Sequence, residues 1–340
     1  MRPHSRNPSA RCPRWWRDAA AAAACVAAVL ALASPAPAQT ASNFPSKPVR
    51  IIVPYGPGGV GDLTMRLLAQ KLTERTHRAF VIENRPGAGG SLSAKGVLES
   101  PADGYTLGVT GNGQAISMTL FKARSYDVLT DFTQVSVTAQ FEMLLAVKGD
   151  SPLKSLRDVV EAARKAPGKL NLAAINPGST QNLSAHLFKQ ITGADVTIVP
   201  YRTTPDLVTA ILRGDVDVGF DFLAGFQSVI IDNKVRIIAT SGEHRNPLLK
   251  DVPTAKESGF PDYVVTSWNG LAAPAGLPDD VLRILNQHIN LALAEPDLQE
   301  KALKLGMDAR GSTPEEMRER MARDIVRWRD VIEKAGIPKQ

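Results

Sequence analysis

A glycine-rich stretch from Tyr55 to Asp62 has the residue types that bind an anion. It contains glycine at positions 56, 58, 59 and 61, so a ligand can approach the main chain without side chains in the way. An apolar run at residues 49–53 precedes it and leucines at helical spacing follow, which predicts a strand, a turn and a helix. Asp62 stands where a helix N-cap is expected, beside main-chain N–H groups that have no partner within the helix. The stretch therefore suits a carboxylate or a phosphate, or else it is a tight turn without a ligand.

Two nucleotide-binding motifs do not fit this stretch. A P-loop ends in Gly-Lys-Ser/Thr, whereas this turn continues as Gly61-Asp62-Leu63. The spacing of its glycines also differs from the G-x-G-x-x-G pattern of dinucleotide-binding folds. A nucleotide is therefore not the favoured anion.

Short apolar runs alternate with helical periodicity along the chain, an order typical of parallel sheets with helices on both faces. Ligands of such sheets bind at the carboxyl ends of the strands. Glycine-bearing turns follow predicted strands at residues 55–62, 110–113 and 176–180. The first two precede a helix predicted to start at Ser155 and the third follows it, which favours two α/β lobes facing each other across a cleft. Strands are predicted at 49–54, 80–83, 105–110, 170–175, 196–199, 216–222 and 235–240, and extended segments within 131–147 and 264–273. Helices are predicted at 63–76, 91–98, 205–213 and 226–232. Three more helices are predicted with one boundary each: one starts at 155, one ends near 192, and one starts from a capping box at 313–316.

The chain offers no pair of side chains for covalent or acid–base catalysis. The nucleophile motif G-x-S-x-G and the zinc motif H-E-x-x-H are both absent from the sequence. The histidines are scattered, and both cysteines, Cys12 and Cys25, lie within the first 38 residues. Asp221 lies between two phenylalanines near a predicted strand end, where a carboxylate is either a buried structural acceptor or a ligand contact. We therefore expect no enzyme activity, no metal site and no cofactor.

The first 38 residues have the pattern of an export signal. Five arginines precede an apolar run at residues 19–33, which is short for a membrane span. Ala36-Pro37-Ala38 fits a small-x-small cleavage site, which predicts Gln39 as the mature N-terminus. A membrane anchor and a lipid on Cys25 are the alternatives to cleavage.

Removing this signal brings the chain close to electrical neutrality. The full sequence has 40 Lys and Arg against 34 Asp and Glu, and residues 1–38 hold five of the former and one of the latter. Residues 39–340 therefore carry 35 basic and 33 acidic side chains, a net charge of +2. That balance gives no electrostatic case for a nucleic-acid partner.

Several short strings match, in order, those of a known family. Tyr55-Gly56-Pro57-Gly58-Gly59 with Asp62 looks like the first ligand loop of that family, and the string at 83–90, Glu-Asn-Arg-Pro-Gly-Ala-Gly-Gly, resembles its most distinctive motif. Further matches follow at 103–107, 167–171, 199–201, 251–254, 257–259 and 271–276. On these strings the chain resembles the Bug solute-binding receptors of tripartite tricarboxylate transporters, over essentially all of the sequence after the signal.

The resemblance implies an α/β fold of the type II periplasmic binding-protein kind. Each of its two lobes is expected to be a mostly parallel sheet flanked by helices, with the ligand cleft between the lobes and two crossovers joining them. We predict one lobe from residues 39–145 and 267–340, and the other from residues 146–266. A small carboxylate-bearing solute is expected in the cleft, held mainly by main-chain N–H groups and ordered waters at the first loop. By position, the ligand contacts are Tyr55, Pro57, Gly58, Gly59, Gly61 and Asp62, then Thr110 and Asn112, and in the second lobe Gly178, Ser179, Thr180 and Asp221.

Three departures from the family pattern concern the solute more than the fold. Gly61 stands before Asp62 where the family often has Ser or Thr, and Asn182 stands where a histidine is common. Tyr201-Arg202-Thr203 replaces the usual Tyr-Lys-Gly. Because the first loop has no Lys or Arg between residues 53 and 65, Arg202 is the competing candidate for holding the ligand by a salt bridge.

The function that the resemblance implies is solute capture in the periplasm and delivery to the integral-membrane subunits of a tripartite transporter. A solute sensor for a membrane signalling system is an alternative that the sequence does not separate from transport. An exported enzyme acting on a carboxylate is a further alternative, disfavoured by the missing catalytic pair. We expect a monomer.

Overall fold

The short apolar runs of the sequence form strands in two sheets. The computed structural model describes residues 43–58, 60–86, 90–122 and 125–340. The predicted export signal, Gly59 and residues 87–89 of the second glycine-rich turn lie outside the described residues. The strands are β1 Val49–Val53, β2 Phe80–Asn84, β3 Thr106–Gly111, β4 Phe132–Glu142, β5 Leu144–Lys148, β6 Asn171–Ile175, β7 Thr197–Tyr201, β8 Val218–Asp221, β9 Val235–Thr240 and β10 Thr266–Pro274.

Four helices of the described residues begin at capping side chains that the sequence supplies. At Ser155, Ser179, Thr203 and Thr313 the hydroxyl oxygen accepts a hydrogen bond from the main-chain N–H three residues on. Each such cap stabilises its helix by about 1 kcal/mol, and the predicted capping box at Thr313 is confirmed. The helices are α1 Val60–Thr76, α2 Ser91–Leu98, α3 Asn112–Leu120, α4 Leu156–Lys165, α5 Thr180–Thr192, α6 Thr204–Arg213, α7 Leu223–Ile231, α8 Asp279–Leu293, α9 Pro296–Lys304 and α10 Pro314–Lys334.

The two sheets have related strand orders. The first runs β2-β1-β3-β10-β4 and the second β7-β6-β8-β5-β9. In the first sheet β1 is parallel to β2 and β3, whereas β10 is antiparallel to β3 and β4. In the second sheet β6 is parallel to β7 and β8, whereas β5 is antiparallel to β8 and β9. In each sheet four of the five strands therefore share one direction, as predicted, and the strand that enters from the other lobe, β10 in the first sheet and β5 in the second, runs in reverse and makes the sheet mixed. The predicted α/β fold with two lobes is confirmed.

The chain crosses between the sheets twice, and the two crossovers are bonded to each other. Met143 alone separates β4 from β5, and residues 241–265 lead from β9 back to β10. The Met143 N–H donates to Ser241 Oγ at 2.8 Å, and the Ser241 N–H donates to the Met143 carbonyl at 2.9 Å. Leu144 already pairs with β8 and β9 of the second sheet. The predicted lobe boundaries at 145/146 and 266/267 stay predictions.

Apolar residues recur at helical spacing after the capping box at 313–316, and the last helix packs this stripe into the core. Met317, Met321, Trp328 and Ile332 are all buried. This face of α10 contacts α3 and β4 in the first lobe and also α5 in the second. Residues Phe44–Gln340 form one compact unit.

The sequence pattern does not predict α3, which follows the second glycine-bearing turn. Eight of its nine residues are buried, so it has no polar face and no amphipathic period. It also begins with an Asn-Gly pair, which favours a turn. Helices α8 and α9 lie in a stretch without predicted helix boundaries.

Candidate functional site

Asp62 is a buried carboxylate that fixes the shape of the first glycine-rich turn. The residue is 1% exposed. Its Oδ2 accepts hydrogen bonds from the Gly58 N–H at 2.9 Å and from Arg66 Nε at 2.8 Å, and its Oδ1 accepts one from Asn84 Nδ2 at 2.8 Å. Since α1 begins at Val60, Asp62 lies in the first turn of the helix, and the predicted N-cap position is wrong. The carboxylate folds back over the turn instead of preceding the helix.

The partners of Asp62 favour its ionised form. Burial raises the pKa of this carboxyl, but the hydrogen bonds from Arg66, Asn84 and Gly58 together hold the pKa below its usual value. The hydrogen bond to Asp62 raises the pKa of Arg66 in turn. The turn therefore contains an ion pair between Asp62 and Arg66, and the Gly58 N–H donates to the carboxylate of that pair.

Tyr55 joins the first turn to β2 and β10. Its hydroxyl donates to Asn269 Oδ1 at 3.1 Å, and its carbonyl accepts from Asn84 Nδ2 at 2.9 Å. Burial raises the pKa of Tyr55 to about 12, so the hydroxyl keeps its proton and stays a donor. A Cβ at Gly61 would lie 2.6 Å from the Tyr55 ring, so packing requires glycine there.

Pro57 and Gly58 form the exposed tip of the first turn. Gly58 has a φ of 82°, in the left-handed region that favours glycine. Gly59, predicted to contact the ligand, lies outside the described residues.

The glycine-bearing turn at residues 110–113 places Asn112 between the two lobes. This residue is 2% exposed. Its Nδ2 donates to Thr180 Oγ1 of the second lobe at 2.8 Å, and its Oδ1 accepts from Trp328 Nε1 at 2.7 Å. The Thr180 hydroxyl also lies 3.4 Å from Ser267 Oγ on β10. Thr110 is buried in the same region and donates to a glutamine of β4, Gln134 Oε1, at 3.5 Å.

The glycine-bearing turn at residues 176–180 packs directly against the end of α3. Gly178 has a φ of 84°, and a Cβ there would overlap Cδ2 of Leu120. Ser179 caps α5, since its Oγ accepts from the Asn182 N–H at 3.0 Å and donates to the Ile175 carbonyl at 3.1 Å. The backbone of the second lobe thus touches a first-lobe helix without an intervening side chain at Gly178.

Asp221 is a buried carboxylate with neutral partners. It is 2% exposed. Its Oδ1 accepts from Gln181 Nε2 at 3.0 Å and from the Phe222 N–H at 2.8 Å, and its Oδ2 accepts from Thr204 Oγ1 at 2.5 Å. Burial raises the pKa of Asp221 above its usual value, although these hydrogen bonds act in the opposite direction. Both oxygens have donors, which supports the structural alternative for this residue.

The predicted contacts fall into three groups in the structure. Tyr55, Gly61 and the Asp62 cluster make up the first turn, and Asn112 meets Thr180 across the lobes. Asp221 forms a third group beside the start of α5, through Gln181. The ligand-binding roles of all these residues stay predictions.

Two buried amides beside these turns are missing from the predicted contacts. Asn269, on β10, is 2% exposed and Gln114, on α3, is 4% exposed. Asn269 had a signal in the sequence, because it is an amide within the apolar stretch that becomes β10. Gln114 had none, because α3 itself is not predicted.

A cavity of about 1200 Å³ lies elsewhere, beside the crossovers. Its walls include Glu142 and the guanidinium groups of Arg320 and Arg327, and none of the described predicted contacts lines it. Arg320 donates to Gln140 Oε1 at 2.9 Å and to Thr266 Oγ1 at 3.2 Å, which ties it to the protein. This cavity therefore lies apart from the predicted ligand contacts.

Among the residues that the structure describes, no group of three or more His, Cys, Asp or Glu side chains is arranged to hold a metal ion. In the same part of the chain, no helix combines the length and apolar character needed to cross a membrane.

Comparison with known proteins points to one family. The family model described as tripartite tricarboxylate transporter family receptor, TctC, matches residues 64–337. The protein BugT of Bordetella pertussis is 30% identical over 299 residues, which cover 87% of this chain and 92% of BugT.

Two solved structures agree with this match along nearly their whole length. R. palustris Rpa4515 with adipate is 33% identical with a TM-score of 0.77, covering 87% of this chain and 99% of that one. MatC (Rpa3494) from Rhodopseudomonas palustris with bound malate is 30% identical with a TM-score of 0.72, covering 85% of this chain and 100% of that one.

Proposed function

The chain belongs to the tripartite tricarboxylate transporter receptor family, and from that premise we propose that it captures a small carboxylate-bearing solute in the periplasm and delivers it to the integral-membrane subunits of a tripartite transporter. The observation that carries the proposal is the meeting of glycine-bearing turns from both lobes. Asn112 of the first lobe donates to Thr180 of the second at 2.8 Å, and Gly178 packs on Leu120. A solute held there would contact both lobes and favour their closed arrangement.

A carboxylate is the solute class that the first turn supports. The turn offers main-chain N–H groups and the start of α1, with no Lys or Arg between residues 53 and 65. Arg66 compensates the charge of Asp62, so the turn does not repel an anion strongly. Because the Gly58 N–H is bonded to Asp62, we assign the carboxylate to the N–H groups that follow it and to ordered waters. Hydrogen bonds to a charged acceptor contribute roughly 1.5–3 kcal/mol each, so two or three suffice without a salt bridge.

The known ligands of relatives agree with this class. Two similar structures have adipate and malate bound, both of which are dicarboxylates. We extend the dicarboxylate class to this chain, and leave the choice of solute to the experiments below.

The remaining parts of the proposal follow from the sequence pattern. We propose cleavage after Ala38, a periplasmic location and a monomeric receptor with lobes at 39–145 plus 267–340 and at 146–266. Mass spectrometry of protein recovered from the periplasm tests the cleavage. A retained segment 1–38, or a lipid on Cys25, would contradict it.

Thermal melting tests the solute class. Protein purified from the periplasm is melted with a library of mono- and dicarboxylates, and a solute at 100 times its Kd is expected to stabilise the fold by about 2.7 kcal/mol. X-ray scattering with the same solute should give a smaller radius of gyration if the lobes close on it. A library in which no carboxylate raises the melting temperature would reject the proposed function.

A further inference from the structure

Two amide side chains in the first lobe each have one hydrogen-bonding group without a partner in the described part of the chain. Asn269 Oδ1 accepts a hydrogen bond from the Tyr55 hydroxyl at 3.1 Å, but Asn269 Nδ2 has no acceptor. Gln114 Nε2 donates to the Val109 carbonyl at 3.5 Å, but Gln114 Oε1 has no donor. The unmatched groups are thus of opposite kind, one donor and one acceptor.

Both amides lie at the carboxyl edge of the first sheet, where the glycine-rich turns meet. Asn269 pairs in register with Gly111, the residue before α3, and Gln114 is in the first turn of that helix. A Cβ at Gly61 would lie 3.1 Å from Asn269 Nδ2, and a Cβ at Gly90 would lie 2.9 Å from Gln114 Nε2. Asn269 therefore lies directly against Gly61, and Gln114 lies directly against Gly90.

The start of α3 adds further donors at the same edge. Its N-cap residue, Gly111, has no side chain that could accept from the first N–H groups of the helix. These N–H groups carry the positive end of the helix dipole. An acceptor that reaches Asn269 at this edge would also lie near that helix end.

Unmatched buried amides are costly. More than about 90% of buried polar groups in proteins have a hydrogen-bond partner. A buried donor or acceptor without one costs about 1–3 kcal/mol, which a suitable ligand would recover on binding. Both atoms are buried, so a solute reaches them only when neighbouring groups move.

We propose that Asn269 and Gln114 select the solute by complementary hydrogen bonding. Asn269 Nδ2 donates to the carboxylate, and Gln114 Oε1 accepts from a hydroxyl or ammonium group on the carbon next to that carboxylate. The solute is then a 2-hydroxy or 2-amino carboxylate rather than a plain aliphatic one. This inference rests on the proposed function and narrows it.

Calorimetric titration of matched solutes tests the selection. Each series holds one carbon skeleton and differs only at the second carbon: propionate, lactate and alanine; succinate, malate and aspartate; adipate, 2-hydroxyadipate and 2-aminoadipate. In the series that binds, the hydroxy or amino member is expected to bind at least about tenfold more tightly than the plain acid. Comparing the hydroxy with the amino member identifies which donor Gln114 accepts from.

Variants of the two amides assign the effect. Gln114→Met keeps the length of the side chain without the acceptor, and should bring the preference for the substituted acid to within about threefold while leaving affinity for the plain acid unchanged. Gln114→Glu keeps an acceptor and should retain the preference. Asn269→Leu should weaken all members of the series at least about tenfold. Circular dichroism and melting curves confirm that each variant is folded.

The outcomes separate this inference from the proposed function. Tightest binding by a plain acid, or an unchanged preference in Gln114→Met, would overturn the inference and leave the carboxylate receptor in place. Absence of binding by every series and by the wider carboxylate library would reject both.

Discussion

Asp62 and Asp221 are buried aspartates at the glycine-bearing edges of the two lobes, and their surroundings have opposite electrostatic effects. Asp62 has a cation as a partner, and its pKa lies below the usual value despite burial. Asp221 has hydrogen bonds from neutral groups only, and burial holds its pKa above the usual value. The same residue type at similar positions thus acts as a permanent anion in one lobe and as a carboxylate whose charge is costly in the other.

The comparison also separates groups that shape the turns from groups left for a ligand. Both oxygens of each aspartate carboxylate accept hydrogen bonds from protein donors. The amides Asn269 and Gln114 are not. Substitution of the aspartates should therefore act mainly on stability, and substitution of the amides on solute choice.

Removing the carboxylate of Asp62 should have the largest effect on stability. Asp62→Ala removes a buried acceptor that the Gly58 N–H, Asn84 Nδ2 and Arg66 Nε share. We expect the free energy of unfolding to fall by about 3 kcal/mol, measured by urea denaturation. Asp62→Asn keeps one acceptor and should lose less. A loss below about 1 kcal/mol in Asp62→Ala would mean that the cluster does not hold the turn.

Filling Gly178 should disturb the contact between the lobes. Gly178→Ala adds a Cβ at a positive φ and against Leu120, and should cost about 2–3 kcal/mol. Gly193 is the matched control, since it also has a positive φ, 64°, but nothing lies within 4 Å of its added Cβ. Gly193→Ala should cost only about 1 kcal/mol. Equal losses in the two variants would show that the turn does not pack on α3 in solution.

Asn112 is expected to couple the two lobes through its hydrogen bonds. Asn112→Ala removes the acceptor of the buried Trp328 indole and the donor to Thr180, and should cost about 2 kcal/mol. Thr180→Val should cost about 1 kcal/mol. In a double-mutant cycle followed by tryptophan fluorescence, the two losses should not add, because each removes the same bond. Strict additivity would place the side chains apart.

The two aspartates should give opposite, smaller changes with pH. Asp62 has a folded-state pKa below its unfolded value of about 3.9, so its contribution to stability is present above about pH 4 and is lost as the pH falls through the folded value. Asp221 has a folded-state pKa above its unfolded value of about 3.9. Its contribution to stability is therefore present below about pH 4 and is lost as the pH rises through the folded-state pKa.

Unfolding of Asp62→Asn and Asp221→Asn between pH 3 and pH 7 measures this difference. The stability that wild type gains over Asp62→Asn should grow as the pH rises, whereas its advantage over Asp221→Asn should shrink. Parallel pH profiles would contradict the contrast between the two lobes.

The sequence predicts most strands and the amphipathic helices because their apolar periods survive in the fold. Leu156, Val159, Val160 and Ala163 recur at helical spacing in the sequence, and they form the buried face of α4. Helix α3 is not predicted because it is buried nearly all round. The antiparallel direction of β5 and β10 depends on where the chain crosses between lobes, which local pattern does not contain.

The details of the candidate site are less predictable for related reasons. Pattern alone predicts an N-cap at Asp62, inside the helix that begins at Val60, because a helix start is uncertain by a few residues. The role of Asn269 depends on Tyr55, which lies 214 positions away in the sequence. A hydrogen bond over that separation leaves no local signal.

Calorimetric titration of Gly59→Val beside Arg202→Ala tests the central claim most directly, with the solute that most raises the melting temperature. The account predicts that valine at position 59, a β-branched side chain in the first turn, lowers affinity at least about tenfold, or roughly 1.4 kcal/mol, while folding is kept. Arg202 is exposed, and Arg202→Ala is predicted to bind as wild type does. Loss of binding in Arg202→Ala together with intact binding in Gly59→Val would show that a side-chain salt bridge holds the solute, and would contradict the account.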